Sequence, residues 1–89
     1  MTLEDVYEKL EQNDRLELEK KNGVIFVESD EFGVVPASDS KPTQIQVTYL
    51  TEDAFSVQPL DTGGGMTAIS GGQAVDLVEG FLEGNELLA

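Results

Sequence analysis

Asn22-Gly23, set between two runs of alternating apolar and polar residues, leaves this chain few ways to fold. Both central residues of a type I′ turn need positive φ, which Asn and Gly tolerate, so the dipeptide is the strongest short-range signal for a two-residue β-hairpin. A turn there pairs Leu18 with Val27 and Lys20 with Ile25 within a hairpin over residues 15–29. Leu16, Leu18, Ile25 and Val27 then share one face, and a slip of one residue would send all of them to solvent. The opposite face keeps Val24 and Phe26, which is more apolar than a fully wet surface should be. Either a loop of the chain covers these two side chains or they form part of a docking surface.

Residues 44–60 predict a second hairpin. Ile45, Val47 and Tyr49 alternate with Gln44, Gln46 and Thr48, and Phe55, Val57 and Pro59 alternate with Ala54, Ser56 and Gln58. A two-residue loop at Glu52-Asp53 would set Tyr49 against Ser56 and mix the faces. A three-residue loop over Thr51 to Asp53 pairs Tyr49 with Phe55 and Val47 with Val57, keeping the apolar face together. Asp53 is then the residue expected in a left-handed conformation, which Asp tolerates better than most.

Helices bracket the two hairpins. In residues 2–13, Leu3, Val6, Tyr7 and Leu10 fall on one stripe at helical spacing, and Thr2 with Asp5 can close a capping box. Residues 71–83 repeat the pattern with Ala74, Leu77, Val78 and Phe81, Ser70 as cap and Gln73 completing the box; Gly84-Asn85 makes a good stop. Residues 30–43 and 61–70 read as loops, with a short edge strand at 32–36 left open. Residues 85–89 form a tail in which Leu87 and Leu88 fold back or fray. These elements predict one α+β domain over residues 1–89. It is a two-layer sandwich in the order α-β-β-(β)-β-β-α: an antiparallel sheet of about four strands with both helices on one face.

Charge narrows the setting. Five basic residues stand against 18 acidic ones, a formal charge of −13 on 89 residues. The apolar periodicities oppose reading this as disorder. A folded chain this acidic suits a salt-in cytoplasm, where molar KCl shortens the Debye length to about 3 Å and silences self-repulsion. Asp76, Glu79 and Glu83, followed by Glu86, oppose the dipole of the last helix with no basic residue near in sequence, a further sign of screening. The composition, with four Lys, few large aromatics and carboxylates throughout, resembles that of small acidic haloarchaeal domains; the resemblance is compositional, covers the whole chain and carries no motif. An acidic mimic of DNA is a further reading that a halophile does not require.

The same composition prunes function. With no His and no Cys there is no Ser-His-Asp triad, no Cys-His pair, no zinc hydrolase centre and no disulfide. An enzyme would have to rest on a carboxylate pair with separated pKa values, and no pair stands out. No cofactor is expected. The carboxylates Glu28, Asp30, Glu31 and Asp39 lack the order of a calcium loop and read as a solvated run, not a metal site. Arg15, Lys20 and Lys21, interrupted by Glu17 and Glu19, are too sparse for nucleic acid. No apolar stretch approaches the roughly 20 residues of a membrane span, and residues 1–20 lack the apolar run of a signal peptide, so a cytoplasmic protein is expected.

One stretch has chemical promise: Gly63, Gly64, Gly65, Thr67, Ser70, Gly71 and Gly72 lie before the last helix, whose free N–H groups favour anions. It lacks any phosphate-loop fingerprint, and a connector is the simpler reading. The function expected is therefore a non-enzymatic protein-interaction or regulatory module, with Val24 and Phe26 on its partner surface. The alternative is a small-ligand or anion-binding protein using the glycine-rich loop. A homodimer is compatible with both.

Overall fold

In the computed structural model the described residues are 2–33, 42–60 and 66–82, the side chain of Ala68 apart. Along the chain run α1 (Leu3–Glu11), β1 (Glu17–Lys21), β2 (Val24–Glu28), β3 (Gln44–Thr51), β4 (Ala54–Pro59), β5 (Met66–Ile69) and α2 (Gly71–Leu82). The strands form one antiparallel meander in the spatial order β1-β2-β3-β4-β5. One core cluster joins Val6 and Leu10 of α1, Ala74, Val78 and Phe81 of α2, and the alternate strand residues Ile25, Val27, Ile45, Val47, Phe55 and Val57. Both helices therefore cover the same face of the sheet, as the α+β reading expects.

The hairpin registers follow from turn chemistry. Asn22 and Gly23 take φ of 53° and 78°, and Leu18 pairs with Val27 and Lys20 with Ile25. In the second hairpin Tyr49 pairs with Phe55 and Val47 with Val57, and Asp53 has a φ of 63°. Thr51 pairs with Ala54 inside the expected three-residue loop, so Leu50 is the extra residue of a β-bulge. The bulge lets the turn be tight while the apolar face stays in register.

Both capping boxes form. The Thr2 hydroxyl accepts from the Asp5 N–H at 3.2 Å and the Asp5 carboxylate accepts from the Thr2 N–H at 2.9 Å. The Thr2 backbone N–H, and second the Thr2 hydroxyl bond, hold the Asp5 carboxyl below its ordinary pKa of 3.8. A carboxyl depressed in the folded state adds stability above its unfolded pKa and loses it as pH falls through the lower, folded value. Thr2→Ala is expected to cost about 1 kcal/mol at neutral pH, read as a lower urea midpoint, with the difference from the parent shrinking in acid.

Three observations correct the sequence reading. Residues 61–70 are not all loop: Met66–Ile69 form β5, paired with β4 through Phe55–Ile69 and Val57–Met66. Four residues between glycines give too short an alternation to show, and it is β4's otherwise bare edge that makes them a strand. Phe32 is not on an edge strand. It is buried, its ring meets that of Phe81 edge-on at 6.4 Å, and the Gly33 N–H donates to the Phe81 carbonyl at 2.7 Å. The remainder of that candidate strand, residues 34–36, lies outside the described residues, as do Asp39, Glu83, Gly84, Asn85, Glu86, Leu87 and Leu88.

The third concerns the end of α2, which does have a basic neighbour, supplied from a distance in sequence. Arg15 donates through Nη2 to the Leu82 carbonyl at 3.0 Å and through Nε to Glu31 at 2.8 Å. A guanidinium on the last carbonyls is favourable to the helix dipole, so the acidic residues of α2 are weaker support for high salt than the sequence alone implies.

Candidate functional site

With both helices on one face, strand alternation decides what the other face presents. β2 contributes Val24, Phe26 and Glu28, β3 contributes Gln44, Gln46 and Thr48, and β4 contributes Ala54, Ser56 and Gln58. Glu28 is the one ionisable side chain of this set, in a protein of which 26 % of residues are charged. Val24 and Phe26 are half-buried on this face, Phe26 between Glu19 of β1 and Gln46 of β3. The described part of the β2–β3 connection, Ser29 to Gly33, carries Phe32 into the helix-side core and not over Val24 and Phe26.

The polar residues of the face are ordered by one another. Gln46 Nε2 donates to Gln44 Oε1 at 3.2 Å, and Gln44 Nε2 donates to Glu28 Oε2 at 3.0 Å. The chain of amides runs beside Phe26 and ends on a carboxylate, a hydrogen bond stronger than one between neutral groups. Toward β1 the face deepens into a hollow of about 420 Å³ walled by Glu17, Glu19, Lys21, Phe26, Glu28 and Gln44. The arrangement is a neutral centre on β2 to β4 with a mostly acidic margin on β1. Charge depleted at the centre and kept at the rim is the composition of protein–protein interfaces.

The basic residues that the sequence grouped are dispersed in space. Arg15 serves the end of α2, while Lys20 pairs with Glu4 and lies 5.5 Å from the Tyr7 ring centroid on the helix side. Lys21 alone joins the open face. The acidic run is also divided: Glu28 meets Gln44 and Glu31 meets Arg15. Among the described residues no group of three or more carboxylates is placed to hold a metal ion, and no helix is long and apolar enough to cross a membrane.

The glycine-rich candidate is only partly within the described residues. Gly63, Gly64 and Gly65 lie outside them, Thr67 is an exposed residue of β5, and Ser70, Gly71 and Gly72 open α2. The capping box occupies two groups an anion would use: the Ser70 hydroxyl accepts from the Gln73 N–H at 3.2 Å, and the Gln73 side chain accepts from the Ser70 N–H at 3.1 Å. Gly71 is buried. A Cβ at Gly72 would meet only the Ser70 Oγ, at 4.0 Å. Gly72→Ala is thus expected to stabilise the domain by about 0.4–1 kcal/mol, seen as a higher urea midpoint, because a helical position without strain gains from reduced unfolded-state entropy.

Comparison with protein-family models, curated proteins and solved structures finds no match for the chain. Its class is set by its own geometry: an α+β sandwich with one helix-covered sheet face and a second face of low charge that no described helix or strand covers.

Proposed function

We propose that this protein is a non-enzymatic interaction or regulatory module of a salt-adapted cytoplasm, docking a partner protein through the open face of its sheet. The observation that carries the reading is the neutrality of that face on a chain of charge −13. Where solvation alone decides, an acidic protein of this kind spreads carboxylates over its surface. Val24, Phe26, Gln46 and Thr48 instead form a centre that loses little on dehydration, since burying an ion costs far more than burying an apolar group or a paired amide.

The partner that fits is a folded protein with an apolar, uncharged patch and Lys or Arg along one side. Its apolar centre would cover Phe26 and its basic side would meet Glu17, Glu19 and Glu28 at the β1 margin. The test is capture in molar KCl with two baits, the parent protein and Phe26→Ser. Phe26 is only half-buried, so the variant keeps the core on the other face. One stoichiometric partner held by the parent and lost with Phe26→Ser is the expected result. A partner retained equally by both would place the contact elsewhere.

A further inference from the structure

The asparagines of this chain stand in chemically different settings. Asparagine is thermolabile because the backbone nitrogen of the next residue can attack its side-chain amide carbon. The attack is least hindered where the next residue has no Cβ. Asn22 precedes Gly23, whereas Asn13 precedes Asp14 and Asn85 precedes Glu86.

Asn22 and Gly23 are both exposed at the tip of the first hairpin. Among the described residues the Asn22 amide has no hydrogen-bond partner, and nothing lies within 4 Å of where a Cβ on Gly23 would stand. Asn13, by contrast, is half-buried and held. Its Oδ1 accepts from the Arg15 N–H at 3.0 Å, and its Nδ2 reaches Glu79 Oε2 at 3.5 Å.

The turn itself opposes the reaction while it is formed. The φ values of 53° and 78° are those of a type I′ turn, in which ψ of the first central residue is about +30°. At that ψ the Gly23 nitrogen stands anti to the Asn22 Cβ, too far from Cγ to close a ring. The Gly23 carbonyl accepts from the Tyr49 N–H at 3.0 Å, and β2 is bonded to strands on both sides, so the turn does not swing freely.

We propose that Asn22 is a deamidation site of this protein and that opening of the first hairpin controls its rate. In the opened chain the Gly23 nitrogen gives up its proton to base and bonds to Asn22 Cγ. The bond from Cγ to the side-chain nitrogen breaks, and ammonia leaves a succinimide behind. Water then opens the ring: cleavage between Cγ and nitrogen gives aspartate, and cleavage at the backbone carbonyl gives isoaspartate. Nothing is oxidised or reduced, and both products add a negative charge to a chain already at −13. Asp-Gly is another favoured type I′ pair, so the aspartyl product keeps the hairpin. The isoaspartyl product carries an extra methylene in the backbone and loses the two-residue turn that sets Leu18 against Val27. No part of this inference depends on the docking reading.

The experiment incubates the full chain at mildly alkaline pH in molar KCl, with and without urea sufficient to unfold it. Peptide mapping by chromatography and mass spectrometry follows each asparagine. In urea, Asn22 is expected to convert first, to a mixture of aspartyl and isoaspartyl peptides. Without urea its conversion is expected to be at least about tenfold slower, because the open hairpin is a minor population of the folded protein. Asn22→Gly keeps a turn-competent pair, and circular dichroism verifies its fold. Aged parent protein is expected to accumulate molecules with a lowered urea midpoint, and aged Asn22→Gly is not. An Asn22 amide that persists in urea, or that is lost no faster than that of Asn13, would overturn the site. Equal rates with and without urea would overturn the control by the hairpin.

Discussion

Replacing Phe55 by alanine is expected to remove about 3–5 kcal/mol of stability and to lower the urea midpoint far below the parent's. Phe55 is fully buried on β4, where it pairs with Tyr49 across one neighbour and Ile69 across the other, and its ring meets the Tyr49 ring edge-on at 5.6 Å. It thus ties β5 to the second hairpin and to the core under α2. Truncating a buried Phe costs about 3–5 kcal/mol through lost burial and the cavity left behind. At roughly 0.05–0.15 kcal/mol per residue, a domain of 89 residues has about 4–13 kcal/mol to lose, so the cost is a large share of the whole. Phe55→Leu keeps much of the volume and is expected to cost under about 1.5 kcal/mol. Urea unfolding followed by circular dichroism separates the two; equal midpoints for Phe55→Ala and the parent would mean that the core is not built as described.

Removing salt is the second large perturbation. Thirteen net negative charges occupy a body measuring 32 × 25 × 19 Å. In about 10 mM salt the Debye length is about 30 Å, so every carboxylate senses the others across the molecule, whereas in molar KCl it is about 3 Å and each senses only its immediate neighbours. Coulomb's law puts the resulting destabilisation at low salt on the order of several kcal/mol, enough to bring a domain this small near its midpoint. The midpoint of thermal unfolding is expected to climb steadily with KCl. Each kcal/mol is worth about 4–8 °C at this size. A midpoint indifferent to KCl would remove the support for a salt-adapted origin, and with it the argument that screening makes the bare charge tolerable.

Where local chemistry decides geometry, the residues could be read directly. Asn22-Gly23 dictated a turn, and the turn dictated which of Leu18, Ile25 and Val27 face inward. The face-keeping argument for Tyr49 and Phe55 placed Asp53 in its left-handed conformation, and Thr2, Asp5, Ser70 and Gln73 announced their helix starts. Contacts between elements were another matter. β5 exists because β4 offers it an edge, Phe32 packs because Phe81 stands opposite, and Arg15 reaches the carbonyl of a residue 67 positions away. No periodicity in a single segment encodes any of these.

The candidate site divides along the same line. Val24 and Phe26 were legible from alternation within one hairpin. Their neighbours depended on how β2 pairs with β3 across a long connection: that register sets Gln46 beside Phe26 and Gln44 beside Glu28. Only then does the amide chain from Gln46 to Glu28 form, and only then do three strands show a shared, nearly uncharged face. Each strand alone looks like ordinary alternation.

Photo-crosslinking tests the open face most directly. A photoreactive residue at Gln46, in the middle of that face, is compared with one at Glu8, exposed on α1 on the opposite side of the molecule, in native extract held in molar KCl. A single crosslinked partner from position 46 and none from position 8 is the result expected of a docking face between β2 and β4. The same products from both positions, or a partner from position 8 alone, would contradict it.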